Sequence, residues 1–213
     1  MSGAMAAIQR VFVMREQHAL DPDQIEVLAE LAARVRELTE AVVFTDVDAA
    51  EVSEVAEEVA ELTARLSAFR RSAPPIAQLD GHGVVRQLAS PVSGRLNPIA
   101  PPVEIKVSPD RTVHCEFTLS AVYEGPPGFV HGGISALILD QLLGAAAAAN
   151  GTPGMTATLD VRYRRPTPLG VPLTAEAKAT RVDGRKTYVD AFVFGPDGKP
   201  TIEASAMFIM PIR

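Results

Sequence analysis

Residues 128–144 read GFVHGGISALILDQLLG and place one carboxylate, that of Asp140, in an otherwise apolar segment. The run of Ile, Leu and Ala that follows the glycines contains no proline and predicts a helix from about residue 131 to 149. An unpaired carboxylate in an apolar interior costs several kcal/mol. Asp140 therefore either points out of the core or has a functional role that the fold maintains.

The glycine-rich start of this helix is a candidate binding site. The first N–H groups of a helix have no partner inside it, and the helix dipole adds partial positive charge there. Gly132 and Gly133 would let a carbonyl oxygen or an anion approach these groups closely. Asp140 follows Gly133 by seven residues on the same helix face, roughly 10 Å along the axis. One carbonyl cannot easily contact both groups, so the spacing predicts a dimer whose antiparallel helices form two composite sites.

Composition excludes several other classes of function. The net charge is −6, which argues against nucleic acid as a partner. Cys115 is the only cysteine, so we expect no internal disulfide, and the four histidines show no metal-ligand spacing. No uninterrupted apolar run reaches the ~20 residues of a membrane span, and the N-terminus lacks the features of a signal peptide. We therefore expect a cytoplasmic chain without a metal.

Three regions divide the chain. Residues 1–72 form a predicted helical extension, since Asp21 and Asp48 each precede a segment with apolar residues at helical spacing. The two helices are expected to form a hairpin whose apolar stripes pack on each other or on the main domain. Residues 73–102 are rich in proline and glycine and predict an irregular connector.

Residues 103–213 form the third region, and their pattern predicts strands around the central helix. Alternating segments at 103–107 and 112–123 come before the helix, and segments at 156–164, 173–182, 187–194 and 201–209 follow it. We expect the last four segments to form a meander. One apolar helix against a largely antiparallel sheet predicts an α+β fold.

Three stretches carry a resemblance to a known family: GPPGFVHGGISALILDQLLG (125–144), GTPGMTATLDVRYRRPTPLG (151–170) and VDGRKTYV (182–189). They resemble the PaaI-type hotdog-fold acyl-CoA thioesterases, which show His-Gly-Gly at the start of the central helix and an acidic residue nine positions after the histidine. The resemblance covers about residues 105–210. It implies a hotdog fold, an antiparallel sheet wrapped around a central helix, and hydrolysis of acyl-CoA thioesters by a homodimer or homotetramer.

The resemblance also implies catalytic roles, residue by residue. Asp140 would act as general base on water or as nucleophile, and the Gly132 amide would polarise the thioester carbonyl. His131 would orient the loop, and Thr156 would hold the water or the carboxylate. Some relatives have an Asn shortly before the histidine, where this chain has Glu-Gly-Pro-Pro at 124–127.

Coenzyme A enters as part of the substrate, and no separate cofactor is implied. Besides Gly133, the candidate substrate-binding residues are two basic clusters that could hold the phosphates, Arg164 with Arg165 and Arg185 with Lys186. Both clusters could equally be solvated surface. In a strand, Arg162 and Arg164 would share a face and Arg165 would point away, so these three arginines could not all serve one phosphate group.

Other functions remain possible from the sequence. The main alternative is a non-catalytic hotdog protein that binds or senses acyl-CoA, and replacing Asp140 by Asn separates it from an enzyme. A hotdog hydratase would need an Asp/His pair in a different motif. A purely structural protein would leave the glycine-rich helix start unexplained.

Overall fold

The computed structural model describes residues 20–79, 84–150 and 154–210. Residues 1–19 of the predicted extension lie outside this part of the chain. Within it there are three α-helices: α1 (Pro22–Phe44), α2 (Ala49–Ser67) and α3 (Gly132–Ala149). The strands are β1 (Ile76–Leu79), β2 (Val84–Gln87), β3 (Lys106–Val107), β4 (Val113–Phe117), β5 (Met155–Tyr163), β6 (Leu173–Asp183), β7 (Lys186–Phe194) and β8 (Pro200–Ile209).

The core lies between α3 and a six-stranded antiparallel sheet with the strand order β3-β4-β6-β7-β8-β5. One face of α3 is fully buried against the sheet, including Leu139, Leu142 and Leu143. Alternate residues of the central strands, such as Val189 and Ala191, meet this face. Burial of these side chains is the main stabilising contribution. The antiparallel sheet wrapped around a central helix, which the resemblance implies, is confirmed.

The predicted four-strand meander is wrong for its first strand. β5 pairs with β8, whereas β6 pairs with β4 and β7. The reason lies in residues 164–172, which contain three prolines and form no tight turn. Instead, this connection pairs with the loop before α3: Val130 N–H donates to the Thr167 carbonyl, and Leu169 N–H donates to the Gly128 carbonyl. β5 is consequently an edge strand.

Two predicted strands are shorter than expected. The segment 112–123 is a strand only up to Phe117, and residues Ala121–Tyr123 form a short 3-10 turn. Beyond Phe117 the backbone binds loops: the Leu119 carbonyl accepts from Gly170, and the Tyr123 carbonyl accepts from His131. The segment 103–107 is reduced to the two residues of β3. The alternation of apolar and polar residues in the sequence could not show that loops, and not a neighbouring strand, would pair with these backbone groups.

The connector is not irregular throughout. β1 and β2 pair as an antiparallel hairpin, with Ile76 opposite Gln87 and Leu79 opposite Val84. The remainder, from Leu88 to Pro102, consists of successive turns and has buried apolar residues such as Leu88 and Val92. The connector therefore packs on the domain as part of the structure.

The N-terminal helices begin where the sequence predicts. The Asp21 carboxylate accepts from Gln24 N–H at 2.8 Å, and Asp48 accepts from Ala50 and Glu51 N–H at 3.0 Å. α1 packs beside the 3-10 turn and buries Ala32. By contrast, α2 buries no side chain. Within the described residues, the α2 stripe therefore packs on neither α1 nor the main domain, which differs from the expectation.

Among the described residues, only α3 has the length and apolar composition that could cross a membrane. Seven of its side chains are buried in the domain core. A buried core helix can be as long and as apolar as a membrane span. The contact of α3 with the sheet therefore accounts for its apolar composition.

Candidate active site

The carboxylate of Asp140 has a specific partner on the edge strand. Thr156 Oγ1 donates a hydrogen bond to Asp140 Oδ1 at 2.9 Å. Asp140 is half-buried and lies on the flank of α3 that faces β5, whereas its neighbour Leu139 is fully buried. The carboxylate therefore points out of the core, to a place where a threonine fixes one oxygen. The resemblance implies that Thr156 holds either the water or the carboxylate, and the observed contact is with the carboxylate.

The start of α3 is capped by its own histidine. His131 is the N-cap residue, and its Nδ1 accepts from Gly133 N–H at 3.0 Å. In the described part of the chain, no acceptor pairs with Gly132 N–H. Of the two glycine amides, that of Gly132 is therefore the one available to a ligand. The Gly133 N–H is used in the cap and is not available to a ligand.

Tyr163 is a site residue that the sequence analysis missed. Its hydroxyl donates to the Gly132 carbonyl at 2.8 Å and so ties the end of β5 to the first turn of α3. A Cβ atom on Gly132 would lie 3.1–3.3 Å from the Tyr163 ring and hydroxyl. Glycine at 132 therefore allows the close approach of Tyr163. The same end of α3 borders a cavity of about 520 Å³ that is also lined by Phe129, Ser135 and Arg164.

These contacts form two separate groups in one chain. The first group is Gly132, at the start of α3, with Tyr163 of β5 beside it. The second group is Asp140, eight residues further along α3, with Thr156 of β5 beside it. At 1.5 Å per residue, the two groups are about 12 Å apart along the axis. A single carbonyl group cannot contact the Gly132 amide and the Asp140 carboxylate of the same chain.

Arg164 and Arg165 follow Tyr163 but have carboxylate partners. Arg164 donates to one oxygen of Glu203 at 2.7 and 3.0 Å. Arg165 binds both oxygens of Asp197 and also donates to the Lys199 and Pro200 carbonyls. The hydrogen bond from Arg165 lowers the pKa of Asp197 to about 2. Both arginines thus bind structural partners beside the cavity.

Arg185 lies in the turn between β6 and β7, and Lys186 is the first residue of β7. Arg185 donates to the Met210 carbonyl at 3.0 Å. Lys186 lies opposite Ile209, which in turn lies opposite Met155 at the beginning of β5. This basic cluster is therefore at the Asp140–Thr156 end of the sheet. The structure does not bring the two basic clusters together within one chain.

Other chemistry-bearing groups are sparse among the described residues. No three His, Cys, Asp or Glu side chains there could together hold a metal ion. Cys115 is buried in β4, and burial raises the pKa of its thiol to about 12. A thiol with so high a pKa remains protonated and is a poor nucleophile at neutral pH.

The antiparallel sheet wrapped around a central helix defines a hotdog protein. Its candidate hydrolytic site consists of a carboxylate on the central helix, a threonine on the edge strand and a free amide at the helix start. The thioesterase superfamily model matches residues 127–202. A crystal structure of a thioesterase superfamily protein is 37% identical, with a TM-score of 0.77, and the match covers 85% of this chain and 94% of that one. The chain belongs to the thioesterase superfamily.

Two acyl-coenzyme A thioesterases named THEM4 are also similar to this chain. The acyl-coenzyme A thioesterase THEM4 of Xenopus laevis is 37% identical over 101 residues, which is 47% of this chain and 46% of that protein. THEM4 of Mus musculus is 38% identical over 87 residues, covering 40% of this chain and 37% of that protein. The match thus spans less than half the length of each relative.

Proposed function

We propose that this chain is an acyl-CoA thioesterase of the PaaI type. The observation that carries the proposal is the half-buried Asp140, held by Thr156 at 2.9 Å on the central helix. The named activity of the two THEM4 relatives supports it. A carboxylate with one oxygen fixed by a hydroxyl has its other oxygen free to accept a proton from water.

The proposed reaction needs few groups because a thioester is already a good acyl donor. Asp140 accepts a proton from water as the water oxygen attacks the thioester carbonyl carbon. The Gly132 N–H polarises the carbonyl and stabilises the charge that develops on its oxygen. Collapse of the tetrahedral intermediate breaks the C–S bond, and the proton held by Asp140 passes to the departing thiolate, which releases CoA thiol and the carboxylic acid and regenerates the Asp140 carboxylate. Direct attack by Asp140 would instead form a mixed anhydride that water hydrolyses, and both routes require the same carboxylate.

We further propose that the working unit is a homodimer with composite sites. The separation of about 12 Å along α3 prevents Gly132 and Asp140 of one chain from serving one substrate. β5 pairs with β8 on one side only, and its Met155, Leu159 and Tyr163 are 66%, 36% and 55% exposed. A long open edge of this kind favours pairing with another strand. Pairing of two β5 strands would place the Gly132 amide of one chain near Asp140 of its partner.

Such a dimer would also place the two basic clusters near one site. Arg185 and Lys186 lie at the Asp140 end of β5, and Arg164 lies at the Gly132 end. In antiparallel chains, the Asp140 end of one meets the Gly132 end of the other. We propose that Arg185 and Lys186 bind CoA phosphates there, since Arg164 and Arg165 already bind carboxylates. The proposed reaction requires no cofactor besides the substrate. That the chain works in a reducing compartment such as the cytoplasm remains a prediction.

The test is thiol release from short, long and aromatic acyl-CoAs, measured for the wild type and Asp140→Asn. Turnover by the wild type that Asp140→Asn abolishes, with substrate binding retained, would support the proposal. If the wild type bound acyl-CoA but hydrolysed none, the chain would be a non-catalytic acyl-CoA-binding protein. Thr156→Ser is the matched control because it keeps the hydroxyl that contacts Asp140.

A further inference from the structure

A cleft of about 980 Å³ lies outside the site described above. One wall is formed by α1 and another by the connector, while Gln141 and Ala145 of the central helix form its floor. α2 contributes nothing to it. The cleft is therefore created by the N-terminal extension and the connector where they cover the hotdog domain, on the helix turn next to Asp140.

Arg36 lines this cleft and has an unused donor. Its Nε atom is buried and has no hydrogen-bond partner, while its Nη2 atom donates to the Arg95 carbonyl at 3.2 Å. Within the described residues, no carboxylate forms an ion pair with Arg36, whereas Arg95 in the same cleft binds both oxygens of Glu26 at 2.7 Å. A buried donor without an acceptor destabilises a protein unless a ligand or a water molecule supplies the acceptor.

The chemistry of the lining specifies the ligand. A guanidinium group binds carboxylates well because its N–H groups match their two oxygens. Val103 is buried, Ile105 and Ala145 are half-buried, and these side chains form apolar walls near Arg36. The cleft also contains Glu104, but its side chain is 77% exposed and lies 3.8 Å from Lys106, which screens its charge.

We propose that this cleft binds a carboxylate carried on an apolar body, with Arg36 as the anchor. Two sources share this chemistry: the distal carboxylate of an ω-carboxyacyl-CoA, and a free carboxylic acid. The first source rests on the proposed thioesterase activity and would make Arg36 a determinant of acyl specificity. The second source does not depend on that activity.

The test compares Arg36→Gln with Arg34→Gln, which removes an exposed arginine from the same helix. Arg34 pairs only with Glu30 and Glu37 on the surface. Octanoate and octanamide are titrated calorimetrically, and thiol release is measured for neutral and ω-carboxylated acyl-CoAs of equal length. We expect Arg36→Gln to weaken octanoate binding, or to lower the preference for the ω-carboxylated thioester, at least tenfold. Arg34→Gln should match the wild type.

The two measurements, octanoate binding and thiol release, distinguish this inference from the proposed function. Octanoate binding that depends on Arg36, without any thioester hydrolysis, would support the cleft proposal and refute the thioesterase. Hydrolysis with neither octanoate binding nor acyl preference changed by Arg36→Gln would overturn the cleft proposal alone. Octanamide that binds as tightly as octanoate would show that the carboxylate is not recognised, and would also overturn it.

A different observation supports a second proposal, on the exposed face of α2. We define the α2 seam by six apolar residues that follow one another at alternating intervals of three and four: Val52, Val55, Val59, Leu62 and Leu66 of α2, and Phe69, which lies two residues beyond the end of the helix. This spacing is that of the a and d positions of a coiled coil. Five of the six side chains are between 36% and 95% exposed, and Val55 is half-buried. Such a face normally packs against another helix.

The order of side chains along the seam fits a second copy of this chain in the antiparallel direction. That register pairs Val52 with Phe69, Val55 with Leu66, and Val59 with Leu62. Each layer then combines a small β-branched residue with a larger one, so that the layers have similar volumes. A parallel pair would instead place three valine layers in succession and then three layers of large residues.

The charges on α2 favour the same arrangement. The acidic residues occupy the beginning and middle of the helix, Arg65 is in its last turn, and Arg70 and Arg71 follow its end. Antiparallel pairing places the acidic end of one helix beside the basic end of the other, whereas parallel pairing opposes like charges. We propose that α2 helices of two copies pair antiparallel through the α2 seam.

Disulfide trapping tests the pairing and its direction. Val59→Cys and Leu62→Cys chains with different tags are co-expressed and mildly oxidised. We expect a disulfide between the two different chains, and much less between identical ones. Glu57→Cys with Ala64→Cys is the matched control, because this pair has the same register on the opposite face and should not crosslink. The native Cys115 is buried and contributes no background.

Three other results of this experiment would overturn the proposed antiparallel pairing of α2. Crosslinks between identical Val59→Cys chains would show parallel pairing. Crosslinking of the control pair at the same yield would show random collision. An absence of crosslinks with native circular dichroism would show that two copies do not pair through the α2 seam. These substitutions change exposed positions, so the variants should fold.

Discussion

The hydroxyl of Thr156 lies 2.9 Å from Asp140 Oδ1 and joins the edge strand β5 to the central helix α3. A hydrogen bond to a charged group contributes roughly 1.5–3 kcal/mol. If Thr156 orients Asp140 for proton transfer, Thr156→Val should lower kcat about 10- to 100-fold with little change in KM. Steady-state kinetics on the preferred acyl-CoA measure this, and Thr156→Ser should stay within a few-fold of wild type. Equal rates for Val and Ser at 156 would show that the hydroxyl is unimportant.

A second prediction concerns Tyr163, whose hydroxyl donates to the Gly132 carbonyl at 2.8 Å. Tyr163→Phe keeps the ring and removes the donor, which should move the first turn of α3. An uncharged hydrogen bond contributes roughly 0.5–1.5 kcal/mol, so we expect kcat/KM to fall by up to about tenfold. The melting temperature should change little. An unchanged kcat/KM would show that the Gly132 amide is positioned without Tyr163.

The sequence predicted the pairing of Asp140 with Thr156 through a resemblance, but it could not indicate Tyr163. Alternation along β5 places residues 156 and 163 on opposite faces, because they are an odd number of positions apart. The structure has an irregularity in the β5–β8 register between Thr156 and Thr158. One displaced residue reverses the alternation beyond it, so that both side chains can face α3. A bulge of this kind depends on pairing with β8, which local sequence does not reveal.

The helices, by contrast, were predicted closely because their signals are local. The caps at Asp21 and Asp48 involve residues within three positions of each aspartate. The position of β5 in the sheet was predicted wrongly, because it depends on contacts between residues 164–172 and the loop before α3. The exposure of the apolar face of α2 was not predicted for a similar reason. An apolar stripe indicates that a helix packs against something, but it does not identify the surface against which it packs.

A third prediction uses two glycines with different surroundings. A Cβ atom on Gly125 would lie 2.8 Å from the Cα atom of His131, whereas one on Gly144 would lie 3.5 Å from the Phe208 ring. Gly125→Ala should therefore displace the His131 cap and lower both stability and activity. Gly144→Ala should raise stability by up to about 1 kcal/mol, because alanine favours the helix interior. Thermal unfolding of both variants checks the contrast, and similar melting temperatures would contradict it.

A fourth prediction concerns pH. The hydrogen bond from Arg165 lowers the pKa of Asp197 from 3.8 to about 2 in the folded chain. A lowered pKa in the folded state means that the stabilisation is fully present above about pH 4 and is lost as the pH falls towards 2. Asp197→Asn should therefore have a slightly lower melting temperature than wild type at pH 7, and the difference should shrink below pH 4. A difference that stays constant down to pH 2 would show that this ion pair does not contribute.

The last prediction tests whether the edge of β5 forms the composite site. Leu159 is 36% exposed in the middle of β5, and Leu159→Lys would place a charge in the proposed interface between chains. We expect both the mass measured by light scattering and the thioesterase rate to fall, because a monomer cannot place Gly132 near Asp140. Ile99→Lys is the control, since Ile99 is 70% exposed in the connector. If Leu159→Lys were a monomer with full activity, Gly132 and Asp140 would not act on one substrate across two chains, and the roles proposed for them would have to change.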